Sequence, residues 1–211
     1  MKSKIGVVCI VLGVLLLLGS LLLAMFNIHQ DIAARDASAR IMTHLVQQIQ
    51  ENAESESADE EDEFIPGELQ IPSVLLTDED KKMTEIEIDG YAYIGYLSIP
   101  TLGLELPIMS SWSYPQLNLA PCRFSGSVRG EDLVLMAHNF YNHFGSISRL
   151  NVGDTLSFTD MDGVTTRYKV AIMDILEPTA VDVMTAGEFD LTLFTCTYSG
   201  QSRVTVYCNK E

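Results

Sequence analysis

The chain has 211 residues, with 29 acidic against 13 basic side chains and a formal net charge of -16. That length allows one or two domains, and the absence of any basic patch with interleaved aromatics excludes a nucleic-acid surface. The acidity is local, because residues 51–90 carry -13 and residues 91–211 only -5.

Residues 5–26, IGVVCIVLGVLLLLGSLLLAMF, form a run of 22 without a charge. At a rise of about 1.5 Å per residue, a helix of that length crosses a ~30 Å hydrocarbon core. The run exceeds the roughly 7 to 15 apolar residues of a cleaved secretory signal, and no convincing small-x-small cleavage site follows it, so an uncleaved anchor is expected. Lys2 and Lys4 precede it, whereas Gln30 and Asp31 follow without a cationic cluster. This asymmetry keeps the amino terminus in the cytoplasm and places everything after Phe26 outside. Residues 1–27 therefore read as the cytoplasmic tip and anchor of a single-pass cell-membrane protein, with the lipid bilayer as its first partner. Cys9 lies inside the span as a lipid-facing or packing residue.

Residues 28–90 read as an extracellular stalk. In RIMTHLVQQIQ, Ile41, Leu45 and Ile49 stand four apart, which fits a weakly amphipathic helix rising from the membrane. His29 and His44 are expected on its surface. ENAESESADEEDE, residues 51–63, has 8 acids and no aromatic or β-branched residue. It cannot bury enough apolar surface to offset its ordering entropy, so a solvated, self-repelling spacer is expected.

From residue 91 to 211 the composition turns to short β-rich runs separated by turn residues: YAYIGYLSIP, LELPI, DLVLMAH, TLSFT, VTTRYKVAIMDIL, LTLFTC and RVTVYC. This density of strands predicts one all-β barrel or sandwich, large enough for a single core. TDMDGVTT is the clearest hairpin, with Asp162 and Gly163 at its turn.

LTLFTC and RVTVYC are separated by the six residues TYSGQS. If they pair across that loop, Cys196 faces Arg203, Phe194 faces Thr205 and Thr192 faces Tyr207, all on one side. Leu191, Leu193, Val204, Val206 and Cys208 then share the other, more apolar side. Cys208 reads as a small buried hydrophobe, and Cys196 as a thiol at a strand end beside a permanent positive charge, a setting that favours thiolate. A thiolate nucleophile needs a proton carrier, normally histidine. Only His138 and His143 lie in the β region. His138 ends the apolar run LVLMAH, and His143 in NFYNHFG is expected to be exposed.

Here the residues carry a family resemblance. Thr192-Leu193-Phe194-Thr195-Cys196 resembles the T-L-x-T-C signature of the sortases, cell-surface cysteine transpeptidases of Gram-positive bacteria, with Arg203 seven positions on as that family's arginine. LVLMAHNF is similar to the family's histidine motif, residues 93–108 to its first strands, and residues 144–163 to the segment after the histidine. The resemblance covers about residues 91–210. It implies a closed eight-stranded β-barrel with short helices, standing on the transmembrane helix and acidic stalk.

The implied reaction is cleavage of a carboxy-terminal sorting signal of LPxTG type in a secreted protein. Cys196 attacks the threonine carbonyl to give a thioester, and an amine of a peptidoglycan precursor or a pilin lysine resolves it. Water in that place gives hydrolysis, the reaction of a cysteine protease. His138 would carry the proton to the departing amine and take one from the incoming amine, and Arg203 would hold the substrate backbone and the oxyanion. At unperturbed pKa values, independent titration at pH 7 leaves only ~1% of molecules as thiolate with imidazolium.

Substrate recognition is expected from residues 176–190, with Val181 and Val183, together with Ala137, Asn139, Thr195 and Thr197. The shortness of that loop argues against the sortase class with a long helical insertion there, and the stretch before the barrel lacks the aspartate-aromatic lid of a typical pilin-polymerising member. No cofactor is expected. Some sortases bind calcium near this loop, and Glu177, Asp182, Glu188 and Asp190 could be read that way, but without the spacing of a rigid oxygen cage they read as a solvated acidic surface. Cys122 and Cys208 could pair as a disulfide in an oxidising exterior.

Three alternatives compete. An L,D-transpeptidase would place histidine and glycine before its cysteine and arginine two residues after, where this chain has Phe194 and Thr195 before and, after, Ser199 well short of Arg203. A papain-like protease would carry its cysteine near the mature amino terminus with the histidine downstream, the reverse of the order here. A catalytically idle extracellular binding module would be indifferent to loss of the Cys196 thiol.

Overall fold

The computed structural model describes residues 2–59 and 82–211. Its first element is α1 (Lys2–Asp59), one uninterrupted helix of 58 residues. The apolar run forms its first half, where the most apolar 18-residue window has a mean hydropathy of 3.0 and none of it is buried against protein. In the second half Ala34, Ser38, Ile41, Leu45 and Ile49 recur at spacings of three and four and are all buried, the stripe an amphipathic helix turns to a protein surface. That surface includes Tyr93, Met109, Leu117, Ala120, Cys122 and Met161. His29 and His44 face away, exposed.

The helix continues through residues 51–59 of the acidic run, where a spacer was expected. Low apolar content rules out a core but not a helix. ENAESESAD contains no glycine, proline or β-branched residue, and propagation from an already packed helix adds a hydrogen bond for each residue fixed, without a new nucleus. The remainder of the run, residues 60–63, and most of the stretch before the barrel, where no lid is expected, lie outside the described residues.

Nine strands follow: β1 (Ile86–Ile88), β2 (Tyr91–Ile99), β3 (Leu104–Met109), β4 (Cys122–Ser125), β5 (Leu133–Ala137), β6 (Thr155–Asp160), β7 (Thr165–Leu176), β8 (Leu191–Cys196) and β9 (Arg203–Lys210). They form one sheet in the order β1-β2-β3-β4-β5-β8-β9-β7-β6, and β6 returns to pair with β2. Strands β2 to β9 thus close an eight-stranded barrel, while β1 extends the edge of β2 ahead of β6. Closure leaves few unpaired edges, the standing liability of an open sheet.

Two strands, β1 and β4, add to the seven runs expected from composition. β1 turns into β2 through Asp89 and Gly90, both at positive φ (52° and 80°), the geometry of a two-residue hairpin turn. β4 has only four residues and meets β3 at a single parallel pair, Met109 with Cys122. The expected hairpin at Asp162 and Gly163 forms, with Thr159 opposite Thr165.

The barrel interior holds Ile94, Leu97, Ile99, Ile108, Leu133, Leu135, Phe144, Phe158, Leu191, Leu193, Val206 and Cys208, with Val204 packed against it. This is the apolar side of the β8–β9 pair expected from sequence, and the register agrees residue for residue, from Leu191 opposite Cys208 to Cys196 opposite Arg203. Cys122 and Cys208 do not form a disulfide. Both are free thiols, one in the cluster under α1 and the other inside the barrel, and burial pushes each up to about 12.

Candidate active site

β5 and β8 lie side by side and run parallel, in register from Leu133 with Leu191 to Ala137 with Thr195. At the last pair the buried Thr195 hydroxyl donates to the Ala137 carbonyl at 2.8 Å, tying the strand ends together. The next residue on each strand is His138 or Cys196. Adjacent strands stand ~4.8 Å apart, so the imidazole and the thiol leave the ladder as neighbours. On the other side of Cys196 is its antiparallel partner Arg203. All three line one groove of about 210 Å³ on the outside of the barrel.

The groove is walled by aromatic and thioether side chains. Trp112 stacks on Phe124, with centroids 6.0 Å apart and planes 24° from parallel, and Phe124 meets Phe194 edge-on at 5.4 Å. Met136, Pro178, Val181 and Met184 complete it. Tyr114 opens the short helix α2 (Tyr114–Leu117), whose first turn is capped by the Ser113 hydroxyl accepting from the Gln116 N–H, and Trp112 immediately precedes that cap. Met184 ends the one-turn helix α3 (Val181–Met184) in the loop between β7 and β8. Sequence reasoning missed the aromatic wall, because Trp112 and Phe124, which join Phe194 in it, come from segments far from the cysteine motif.

Of the residues expected to meet substrate, Ala137, Thr195 and Val181 line this groove. Asn139, Thr197 and Val183 do not. Asn139 opens instead onto a neighbouring hollow beside α1, Thr197 contacts Ser199 and Ser202 within its own loop, and Val183 is exposed. A larger hollow of about 620 Å³ between α1 and the turn from β2 to β3 contains neither thiol nor imidazole among its lining residues. The thiol and the imidazole meet at the smaller groove.

Burial holds His138 below the ordinary imidazole range, which makes the neutral ring, a proton acceptor, the resting form at neutral pH. The Arg203 guanidinium donates to the Gly200 and Ser202 carbonyls at 3.3 and 3.2 Å. Among the described residues no carboxylate forms an ion pair with it, so its charge is not neutralised before substrate arrives.

His143, expected at the surface, is fully buried. The residues after His138 fold into consecutive tight turns, with Phe144 N–H bonded to His138 O and Gly145 N–H to Phe140 O. A side chain at Gly145 would collide with the Asn139 and Phe140 carbonyls, so only glycine lets the loop close. Phe144 enters the barrel core, burial worth about 2–3 kcal/mol. Cover comes from α1, where Asp31 binds Asn142 and Ser38 binds the Leu119 carbonyl, a layer no local sequence pattern reveals. Desolvation, then the nearby His138, pushes His143 down to about 4.

Among the described residues no group of three or more histidine, cysteine, aspartate or glutamate side chains gathers as a cation site. Asp190 is engaged by the Lys210 N–H at 2.6 Å.

The sequence model of the Sortase domain matches residues 97–211, more than half of the chain and all of β3 to β9. The chain belongs to the sortase family. No curated protein sequence matches it. Among solved structures it is similar to sortase A from Corynebacterium diphtheriae, with 22% identity and a TM-score of 0.53 over 57% of this chain and 61% of that one. It thus spans about three fifths of that protein's length. Sortase C from Clostridium perfringens SM101 gives 21% identity and a TM-score of 0.52 over 80% of this chain and 88% of that one. At these identities the structural likeness is one of fold. Sortases are cysteine transpeptidases, and the sortase barrel here carries a thiol, an imidazole and a guanidinium in one groove.

Proposed function

We propose that this chain is a membrane-anchored transpeptidase that cleaves an LPxTG-like sorting signal through a thioacyl intermediate on Cys196 and passes the acyl group to an amine of peptidoglycan or a pilin. The observation that carries the reading is the convergence of Cys196, His138 and Arg203 on the strand ends of β5, β8 and β9 around one groove. The anchor is α1 with its amino terminus in the cytoplasm, and the barrel is outside.

Each step has a group suited to it. Neutral His138 takes the Cys196 proton as sulfur attacks the scissile carbonyl, and the imidazolium so formed delivers it to the departing amine. Arg203 faces the developing oxyanion with a charge and a fork of donors. The thioester then meets a second amine, whose proton returns through His138, and the thiol is regenerated. Acyl exchange between a thiol and an amine moves protons but no electrons, so no redox partner enters the balance. The Trp112, Phe124 and Phe194 wall supplies apolar area for the signal's side chains.

The test is incubation of the full chain in detergent or nanodiscs with a panel of fluorogenic LPxTG-like peptides, with and without an amine acceptor, followed by intact-mass measurement. A thioacyl adduct on wild type and none on Cys196→Ala is expected, with an acid limb below pH 6.5, where the imidazole gains its proton. No adduct and no turnover across a broad panel would replace this reading with that of a binding module.

A further inference from the structure

The end of the barrel that carries the groove is also the end nearest the apolar half of α1. Two contacts fix this alignment. Asp31 accepts from the Asn142 backbone N–H at 3.3 Å and from its side chain at 3.1 Å, while Asn52 donates to the Met161 carbonyl at 3.2 Å. The helix between Asp31 and Asn52 is about 32 Å long, so the barrel lies along it with residues 139–142 low and residues 161–164 high. Below Asp31, the apolar run ends at Phe26, only ~7 Å further down the axis.

That interval matches the headgroup layer of one leaflet, ~5–7 Å deep. Two tyrosines reach into it. Tyr141 and Tyr198, 62% and 89% exposed, line a hollow together with Asn27 and Ile28 of α1. Tyr141 lies three residues beyond His138, and Tyr198 lies in the loop joining Cys196 to Arg203. The patch is continuous with the apolar helix through exposed Ile28, and Asp31 is the one charged side chain lining the hollow, already engaged by Asn142. Amphipathic rings with wet hydroxyls are the side chains that settle at a membrane–water interface.

We infer that Tyr141 and Tyr198 form a membrane-docking surface, inserting into the headgroup layer of the bilayer that α1 spans and holding the mouth of the groove at the lipid surface. This rests on the reading of α1 as a membrane span. Since the patch carries no cation, docking requires no anionic lipid.

The experiment uses the full chain in phosphatidylcholine nanodiscs. Trp112 is the single tryptophan, so Trp112→Phe gives a dark background into which Tyr198→Trp, Tyr141→Trp or, as a control at the high end, the exposed Val164→Trp is introduced one at a time. Lipids brominated near the top of the acyl chain quench indole at the interface. Emission from Tyr198→Trp and Tyr141→Trp is expected to be roughly halved relative to unbrominated discs, and that of Val164→Trp unchanged. Alkaline extraction from vesicles reports the anchor separately. Release of the chain would overturn the span and the docking together, whereas retention with both tyrosine positions as unquenched as Val164→Trp would overturn docking alone.

Discussion

Two cysteines on one strand pair, Cys196 and Cys208, show how the same side chain is given opposite fates. Cys208 points inward, is fully buried, and is pushed up to about 12 by desolvation. Cys196 ends its strand on the outer face, half-buried between His138 and Arg203. A matching contrast separates the histidines, with His143 sealed under α1 and His138 on the groove. Exposure here is a matter of which face and which strand position a residue occupies, because the barrel converts alternation along a strand into inside and outside.

The contrast breaks most visibly by substitution at the two sulfurs. Cys196→Ala is expected to abolish the adduct and lower turnover by at least ~10³-fold with an unchanged melting temperature. Cys208→Ala should instead keep the rate per folded molecule and cost about 1–2 kcal/mol of stability. Intact mass, peptide turnover and thermal melts on both variants decide it, and an adduct surviving on Cys196→Ala would end the assignment.

The histidines differ through acid. His143 is held neutral in the fold near pKa 4 but titrates near 6.5 when unfolded. Above pH 6.5 both states are neutral and nothing is lost. As pH falls from 6.5 towards 4 only the unfolded state takes the proton, and the fold loses about 3 kcal/mol through this group. Chemical unfolding of wild type and His143→Phe across that range should show the extra loss in wild type only, and parallel curves would contradict the burial.

Smaller effects sharpen the outer face. Arg203→Lys keeps a charge but loses the planar fork, and kcat/KM is expected to fall by roughly 10–10²-fold. A peptide assay showing wild-type kinetics would remove Arg203 from the chemistry. Thr195→Val deletes the hydroxyl that ties β8 to the Ala137 carbonyl. About 1 kcal/mol of stability should go with it, accompanied by a modest fall in kcat with KM little changed, as steady-state kinetics would reveal.

The β8–β9 register was legible because apolar alternation on both strands admits one pairing that buries Leu191, Leu193, Val206 and Cys208 together, and a shift by one would turn them all outward. The neighbourhood of Cys196 and Arg203 followed directly. β1 carries a signal too, Asp89-Gly90 between alternating runs. β4 carried no comparable signal, being four residues with one bridge to β3. His143 and the Trp112 wall depend on contacts between segments far apart in sequence, with α1 as cover, and periodicity within a window is blind to such contacts.

The thiol and the imidazole are brought together by parallel strands, and parallel neighbours cannot be joined by a tight turn. Thr195 and Ala137, whose bond sets the pair in place, are 58 residues apart in the chain, with β6 and β7 made in between. The β8–β9 hairpin alone therefore holds Cys196 and Arg203 without His138. Such long-range pairing is slow to form, so thiol, imidazole and guanidinium meet only once the last strand has closed the ring.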